Sequence, residues 1–330
     1  MESTAPPLTT EYAPPDREII PPRFVSPAWR RAIAYAVDKF ILGTAAVILT
    51  FPFFKFVARL GSWSAIIGCA VDVTYFAILD SQIGNGQSPG KRLMNVQVVD
   101  VLGKTISFDR SLLRSTIFLL PVYVSMYWSS LPREPAMALM VIAIATVACA
   151  NYHLVLFNHD TRQGLHDLAA GSFVTGTDRR GAVATHPIWA MHWLIFAMVM
   201  VILILAGLIG NTWMMSNHPE LKNITRALVG VEGAQQIRII NTGSAVDGNQ
   251  KRILEITVVG DGKSAGEEAF ADRVVKQIFE NYPAAEHFNV VRVSISQGYN
   301  FGFAYSRSVR NIDRTPAEWK SRLAALPDDN

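Results

Sequence analysis

Five apolar stretches, each long enough to cross a bilayer, divide this chain of 330 residues, and the first carries Arg31 at its start and Asp38 two turns further in. An ionisable group in hydrocarbon is costly, so its presence calls for a partner, a pathway or both. A helix rises about 1.5 Å per residue and needs roughly 20 residues to cross about 30 Å of hydrocarbon. That places spans near residues 32–54, 63–79, 111–130, 136–157 and 188–210. The last, Ile188 to Gly210, contains no Asp, Glu, Lys or Arg. The second is short and carries Asp72, so a re-entrant or heavily buried helix is the alternative there to a full crossing.

Composition alone would allow a globular protein, because half of the residues are apolar and the net charge is only +3. Distribution decides otherwise, and it also orients the chain. Eleven Lys and Arg residues fall in the first 31 residues and the loops 80–110 and 158–187, against three in the segments 55–62 and 131–135. By the positive-inside rule the N-terminus is cytoplasmic, and five crossings leave the C-terminal region outside an inner membrane. The two cysteines, Cys69 and Cys149, fall inside spans and read as small packing residues. Residues 1–29 are polar and proline-rich without the apolar run of a signal peptide, so they read as a disordered cytoplasmic tail.

Residues 30–180 then form a four-helix transmembrane module with a small cytoplasmic β element, 181–215 the fifth helix, and 216–330 an extracytoplasmic domain. In the module, the runs Val96–Asp100 and Thr105–Phe108 flank Gly103 and predict a hairpin, which a third run, Ser172–Thr175, could join. In the C-terminal domain, runs at 236–241, 252–259, 288–296 and 301–307 predict strands, with Gln297–Asn300 as a hairpin turn. Ser264-Ala265-Gly266-Glu267 is a capping box opening a helix to about Tyr282, and Thr315-Pro316-Ala317-Glu318 opens another. The fold class expected is therefore a membrane α-helical bundle of about five helices followed by an α+β domain built on one antiparallel sheet.

Three patches between residues 27 and 176 resemble the RDD family of membrane proteins, named for one arginine and two aspartates. Arg31-Ala32-Ile33-Ala34-Tyr35-Ala36-Val37-Asp38 is similar to its first-helix motif. Gly86-Gln87-Ser88-Pro89-Gly90-Lys91-Arg92 resembles its glycine- and proline-containing loop, with Ser88 where threonine is commoner. Asp160-Thr161-Arg162-Gln163-Gly164-Leu165-His166-Asp167 is similar to its closing element. The fifth span and the C-terminal domain lie outside the resemblance. It implies a membrane protein of generally unassigned function, for which ligand transport is the usual suggestion and monovalent cation/proton exchange the sharpest.

Arg31 and Asp38 are seven helical residues apart and share a face, but at about 10 Å along the axis a direct bond is not expected. Asp72 and Asp167 are the candidates to meet Arg31 across helices. Arg31, Asp38, Asp72 and Asp167 thus form either an ion or proton pathway or an interhelical salt-bridge set, with His166 and Arg162 supporting it. Gly86, Ser88, Pro89, Gly90 and Lys91 make a tight cytoplasmic turn whose cations would face anionic headgroups, since the spacing excludes a phosphate loop.

His153, His159 and His166 do not have the spacing of a zinc pair, and neither a metal nor a cofactor is expected. No nucleophile and base stand at interpretable spacing, so no enzyme is expected. The expected partners are the lipid bilayer, monovalent cations or protons, and a protein outside the membrane, with no nucleic acid. The alternative to transport is a membrane anchor or assembly factor acting through its outer domain.

Overall fold

The computed structural model describes residues 24–61, 63–127, 135–158, 160–178, 181–183, 188–217, 234–246, 249–260 and 268–326. Most of the proline-rich tail and the capping box at 264–267 lie outside the described residues.

Helix α1 (Ala28–Thr50) runs on through short helical turns, including α2 (Phe54–Val57), to Leu60, where Gly61 adopts φ +50° and reverses the chain. Helix α3 (Ser64–Leu79) returns antiparallel to it. Helix α4 (Pro89–Leu93) and strand β1 (Val96–Val99) follow, then the long helices α5 (Phe108–Tyr127) and α6 (Pro135–Phe157). Helix α7 (Leu165–Ala169) and strand β2 (Phe173–Gly176) precede helix α8 (Met191–Asn217).

The helical segments Ala28–Leu60 and Met191–Gly210 are long and apolar enough to cross a membrane, and Ser64–Leu79 and Ile142–Phe157 are shorter apolar helices. Their side chains are arranged inside out. Helix α1 buries Ala34 and Asp38 while Phe40, Ile48 and Leu49 stand exposed. An outward apolar face around an inward charge is what a hydrocarbon solvent selects.

One end of the bundle, the motif end, gathers the start of α1, the end of α3, α4, the start of α5, α7 and the small sheet. The expected hairpin between Val96–Asp100 and Thr105–Phe108 does not form. Strand β1 instead pairs antiparallel with β2, from Val96 with Gly176 to Val99 with Phe173. The Asp100 carboxylate accepts from the N–H groups of Leu102 and Lys104 and closes a tight turn, after which Ile106 bridges to Ser81 and the chain enters α5. The third run does join β1, and the sheet ties the two halves of the module together.

The C-terminal region follows the expected order of strand, strand, helix, strand, strand, helix: β3 (Ala234–Val246), β4 (Asn249–Gly260), α9 (Glu268–Asn281), β5 (Val290–Asn300), β6 (Tyr305–Arg314) and α10 (Pro316–Ala324). Its sheet, in the order β3-β4-β5-β6, is mixed and not antiparallel throughout, because the crossover through α9 returns the chain to lay β5 parallel to β4. Leu254, Ile256 and Val258 of β4 and Val291, Val293 and Ile295 of β5 alternate onto one face, which α9 covers with Phe270, Val274 and Ile278. Trp319 of α10 completes this core and donates its indole N–H to the Val291 carbonyl at 2.9 Å.

The β5–β6 turn also departs from expectation. Strand β5 continues through Gly298 to Asn300, and the chain turns at Phe301–Ala304, with Gly302 at φ +82°. Gly298 is a packing glycine: a Cβ there would collide with the Ser306 backbone on the paired strand. The end of β5 and the turn so displaced, Tyr299–Phe303, reach the helix bundle.

Candidate functional site

At the motif end, α1 presents Arg31 and Asp38 to different partners. Arg31 donates through Nη2 to Asp167 at 2.6 Å and through Nη1 to the Arg162 carbonyl at 2.5 Å. Arg162 thus contributes its backbone, turned inward by a left-handed φ of +48°. Asp167 also accepts from Arg114 Nε at 2.8 Å, and Arg114 Nη1 reaches Asp80 at 2.6 Å. Lys91 Nζ binds the other Asp80 oxygen at 2.5 Å. The chain of charges Arg31–Asp167–Arg114–Asp80–Lys91 therefore pins α1, α7, α5, α3 and α4 to one another. Lys91 is buried here and does not face headgroups; of the two expected loop cations only Arg92 is exposed.

Asp38 stands next to this chain but is served by neutral donors. Its Oδ1 accepts from the Gly90 N–H at 2.8 Å and the Tyr75 hydroxyl at 3.0 Å, and its Oδ2 from the Ser88 hydroxyl at 2.5 Å. The loop motif explains the fit. Gly86 turns the chain at φ +67°, Ser88 caps α4, Pro89 opens it, and Gly90 lets α4 lie against α1, because a Cβ there would strike the Ala34 carbonyl. Asp38 makes no bond to Arg31 among the described residues, as their axial separation requires.

In the short helices α4 and α7, burial and charge oppose each other. Burial pushes the His166 imidazole down to about 3 against the pull of Asp167, so the ring is neutral near pH 7. Its Nδ1 and its backbone N–H both face Asn151 Oδ1, at 2.8 and 3.1 Å. The backbone donor fixes which end of the Asn151 amide is oxygen. Burial alone would raise Asp167, but the groups around it, His166 and the Arg31 and Arg114 guanidiniums, hold its carboxyl well below the usual carboxylate range. With His166 neutral, the two arginines carry that effect near pH 7. Burial lowers Lys91 from the ordinary lysine range, with Asp80 pulling the other way.

The other end is organised differently. Asp72 is fully buried on α3 and pairs through Oδ2 with Lys39 of α1, not with Arg31. The Lys39 ammonium lies 5.2, 5.9 and 5.7 Å from the ring centres of Tyr35, Tyr123 and Phe303. The Tyr123 hydroxyl is 3.0 Å from Asp72 Oδ2, while Asp72 Oδ1 is buried and has no hydrogen-bond partner. Over this pair sits the tip of the β5–β6 hairpin. Tyr299 meets the Thr50 hydroxyl at 2.7 Å, the Asn300 N–H donates to Ser64 Oγ at 2.8 Å, and the Phe301 carbonyl is 2.9 Å from the Tyr123 hydroxyl. Gly43 and Gly68 admit the turn, since a Cβ at either would collide with the Phe303 or Phe301 backbone.

A cavity of 330 Å³ lies at the motif end. Its wall is mainly apolar, with Arg31, Asp80, Lys91, Arg114 and Asn151 among its polar members, and it extends to Tyr35 and Phe76. Tyr35 is the ring beside Lys39, so the cavity stops one aromatic layer short of the Lys39–Asp72 pair. Asn151 Nδ2, buried in this wall, has no hydrogen-bond partner.

Of the expected residues, the structure joins Arg31 with Asp167, His166 and Arg162, brings Asp38 to Ser88 and Gly90, and sets Asp72 apart. Sequence reasoning missed Lys39, Asp80, Arg114 and Tyr123. Lys39 and Arg114 carried a signal, since both are cations inside apolar segments and needed partners as much as the aspartates did.

A helical module with outward apolar faces and paired charge inside is the architecture of a protein that works in a membrane. Residues 25–171 match the family model described as the RDD family, and that part of the chain belongs to it; a further apolar helix and a C-terminal region built on a mixed sheet lie outside the match. No curated protein and no solved structure matches the chain.

Proposed function

We propose that this is a multi-pass inner-membrane protein that exchanges a monovalent cation for protons at Asp72. In this reading α1, α3, α5, α6 and α8 make five crossings. The motif end, with its excess of Lys and Arg, faces the cytoplasm, and the C-terminal domain lies outside. The observation that carries the proposal is the Asp72 carboxylate: buried, paired with a tethered ammonium, and keeping one oxygen bare. The carboxylates of Asp38, Asp80 and Asp167 have every oxygen bonded. A buried polar atom without a partner points to a functional role.

Lys39 acts as an internal competitor. A proton or a small cation on Asp72 weakens its hold on the Lys39 ammonium, which retains the rings of Tyr35, Tyr123 and Phe303 as neighbours. The cavity below Tyr35 supplies an approach from the motif end. The membrane potential, worth about 2.3 kcal/mol per charge per 100 mV, is ample to drive such an exchange.

Purified protein in sealed liposomes with a trapped pH dye tests this. Addition of sodium, potassium or lithium should change the internal pH, Asp72→Asn should abolish the change, and Asp38→Asn should retain it in whatever fraction stays folded. A dye response equal in wild type and Asp72→Asn, or none in either, would remove Asp72 as the carrier. The anchor reading would then stand, with activity residing in residues 216–330.

A further inference from the structure

The geometry points to the tip of the β5–β6 hairpin as a gate on the Asp72 site, with Tyr123 reporting the state of Asp72 to it. This rests on the cation/proton reading of Asp72 and adds how access to that residue is controlled.

The hairpin tip is seated, not merely near. Tyr299 and Phe301 are buried, and their rings lie 4.8 Å apart at the bundle. Polar contacts tie the tip to three helical segments: Thr50 at the end of α1, Ser64 at the start of α3 and Tyr123 on α5. Gly61 bridges to Tyr299 as well. Gly302, with φ +82°, lies against the Tyr123 ring so closely that a side chain there would collide with it. Phe303 covers Lys39. With the tip in place, the way to Asp72 from the domain side runs through Phe301, Phe303 and Tyr123.

Tyr123 makes the closure responsive. Its hydroxyl has one proton and two acceptors in reach, Asp72 Oδ2 at 3.0 Å and the Phe301 carbonyl at 2.9 Å. When Asp72 is ionised and without a cation, it competes for that proton, and the Phe301 carbonyl loses its donor. When Asp72 is protonated, its own O–H donates to the tyrosine oxygen, and Tyr123 is free to donate to Phe301. Both acceptors are then satisfied and the tip is held. The other titratable or charged groups facing Asp72 are Lys39 and Tyr35 from α1 and Cys69 and Tyr75 from α3. Lys39 bonds the same Oδ2. The hairpin adds no charged group to this set: its Tyr299 hydroxyl is engaged with Thr50.

Cys69 is a built-in reporter. It follows Gly68, which carries the Phe301 backbone, and it is half-buried against the cluster that contains Tyr123. With Cys149 replaced by alanine, the rate at which a water-soluble maleimide modifies Cys69 at one fixed pH reads the closure directly. Gly302→Leu, which cannot seat the turn, should speed modification several-fold. Asp72→Asn, a neutral side chain that can donate to the tyrosine oxygen, should slow it. Tyr123→Phe should speed it and should erase the effect of Asp72→Asn in the double variant. Circular dichroism and unfolding establish that each variant is folded. Equal rates in all folded variants would overturn the gate. The expected ordering of rates in a protein that moves no ions would support the gate while removing the exchange reading.

Discussion

The two ends of the helix bundle hold buried charge in opposite ways. At the motif end every carboxylate oxygen of Asp38, Asp80 and Asp167 accepts at least one hydrogen bond. At the hairpin end Asp72 leaves one oxygen bare and shares its tyrosine donor with a backbone carbonyl. A saturated network acts as a lock, because removing any member leaves a buried charged group short of a partner. An unsaturated one can change state at small cost. Arg31, Asp38 and Asp167 thus belong to the lock, and the proposed exchange chemistry falls on Asp72, outside that set.

The largest expected effect breaks the lock at its centre. Arg114→Met takes one cation from each of Asp80 and Asp167, leaving one buried oxygen of each without a cation while Lys91 and Arg31 hold the others, and should cost about 3–5 kcal/mol in unfolding free energy. A loss below about 1 kcal/mol in detergent unfolding would show that the motif-end network is not a lock.

Acid should loosen the same end. His166 titrates at about 3 in the fold and near 6.5 in the unfolded chain, so between these values the unfolded state binds the extra proton. Stability therefore falls as pH drops from about 6.5 towards 3, by on the order of 1.4 kcal/mol per pH unit. Asp167, depressed in the fold, adds a further loss once pH falls below about 4, where the unfolded carboxyl protonates first. Unfolding midpoints measured across pH should flatten above pH 4 in His166→Gln, and an unchanged slope would remove His166 as the cause.

The hairpin end should respond more weakly in stability than in activity. Asp72→Asn leaves Lys39 without its carboxylate and should cost about 1–3 kcal/mol, part of which the double variant with Lys39→Met recovers. A double-mutant cycle with no coupling would contradict the pair. The smallest effect is expected on the surface of the C-terminal domain. Arg292→Ala breaks a well-formed bond to Asp313 at 2.7 Å, yet both groups are partly exposed, and unfolding should shift by less than about 1 kcal/mol.

The sequence made the motif end largely readable. Arg31, Asp38 and Asp167 stood out as charges near apolar runs, and the turn chemistry of Ser88, Pro89 and Gly90 marked a short capped helix. It did not show that Lys91 turns inward, because Asp80, its partner, lies just beyond the second apolar stretch. Lys39 follows Asp38 directly, but one residue turns a helix by about 100°, so the two neighbours face different partners. The strands of the C-terminal domain were legible from alternation, whereas their mixed direction depends on the crossover through α9. The hairpin tip left no local signal. Gly298 resembled a turn residue, and the glycines that receive the tip, Gly43 and Gly68, are explained only by a contact more than 200 residues away in sequence.

Infrared difference spectroscopy on cation addition at constant pH observes directly which aspartate changes state. The expected result is a carboxyl signal that disappears in Asp72→Asn and persists in folded Asp38→Asn. A signal that survives Asp72→Asn and vanishes in Asp38→Asn would place the exchange at the motif end and contradict the division between the two ends.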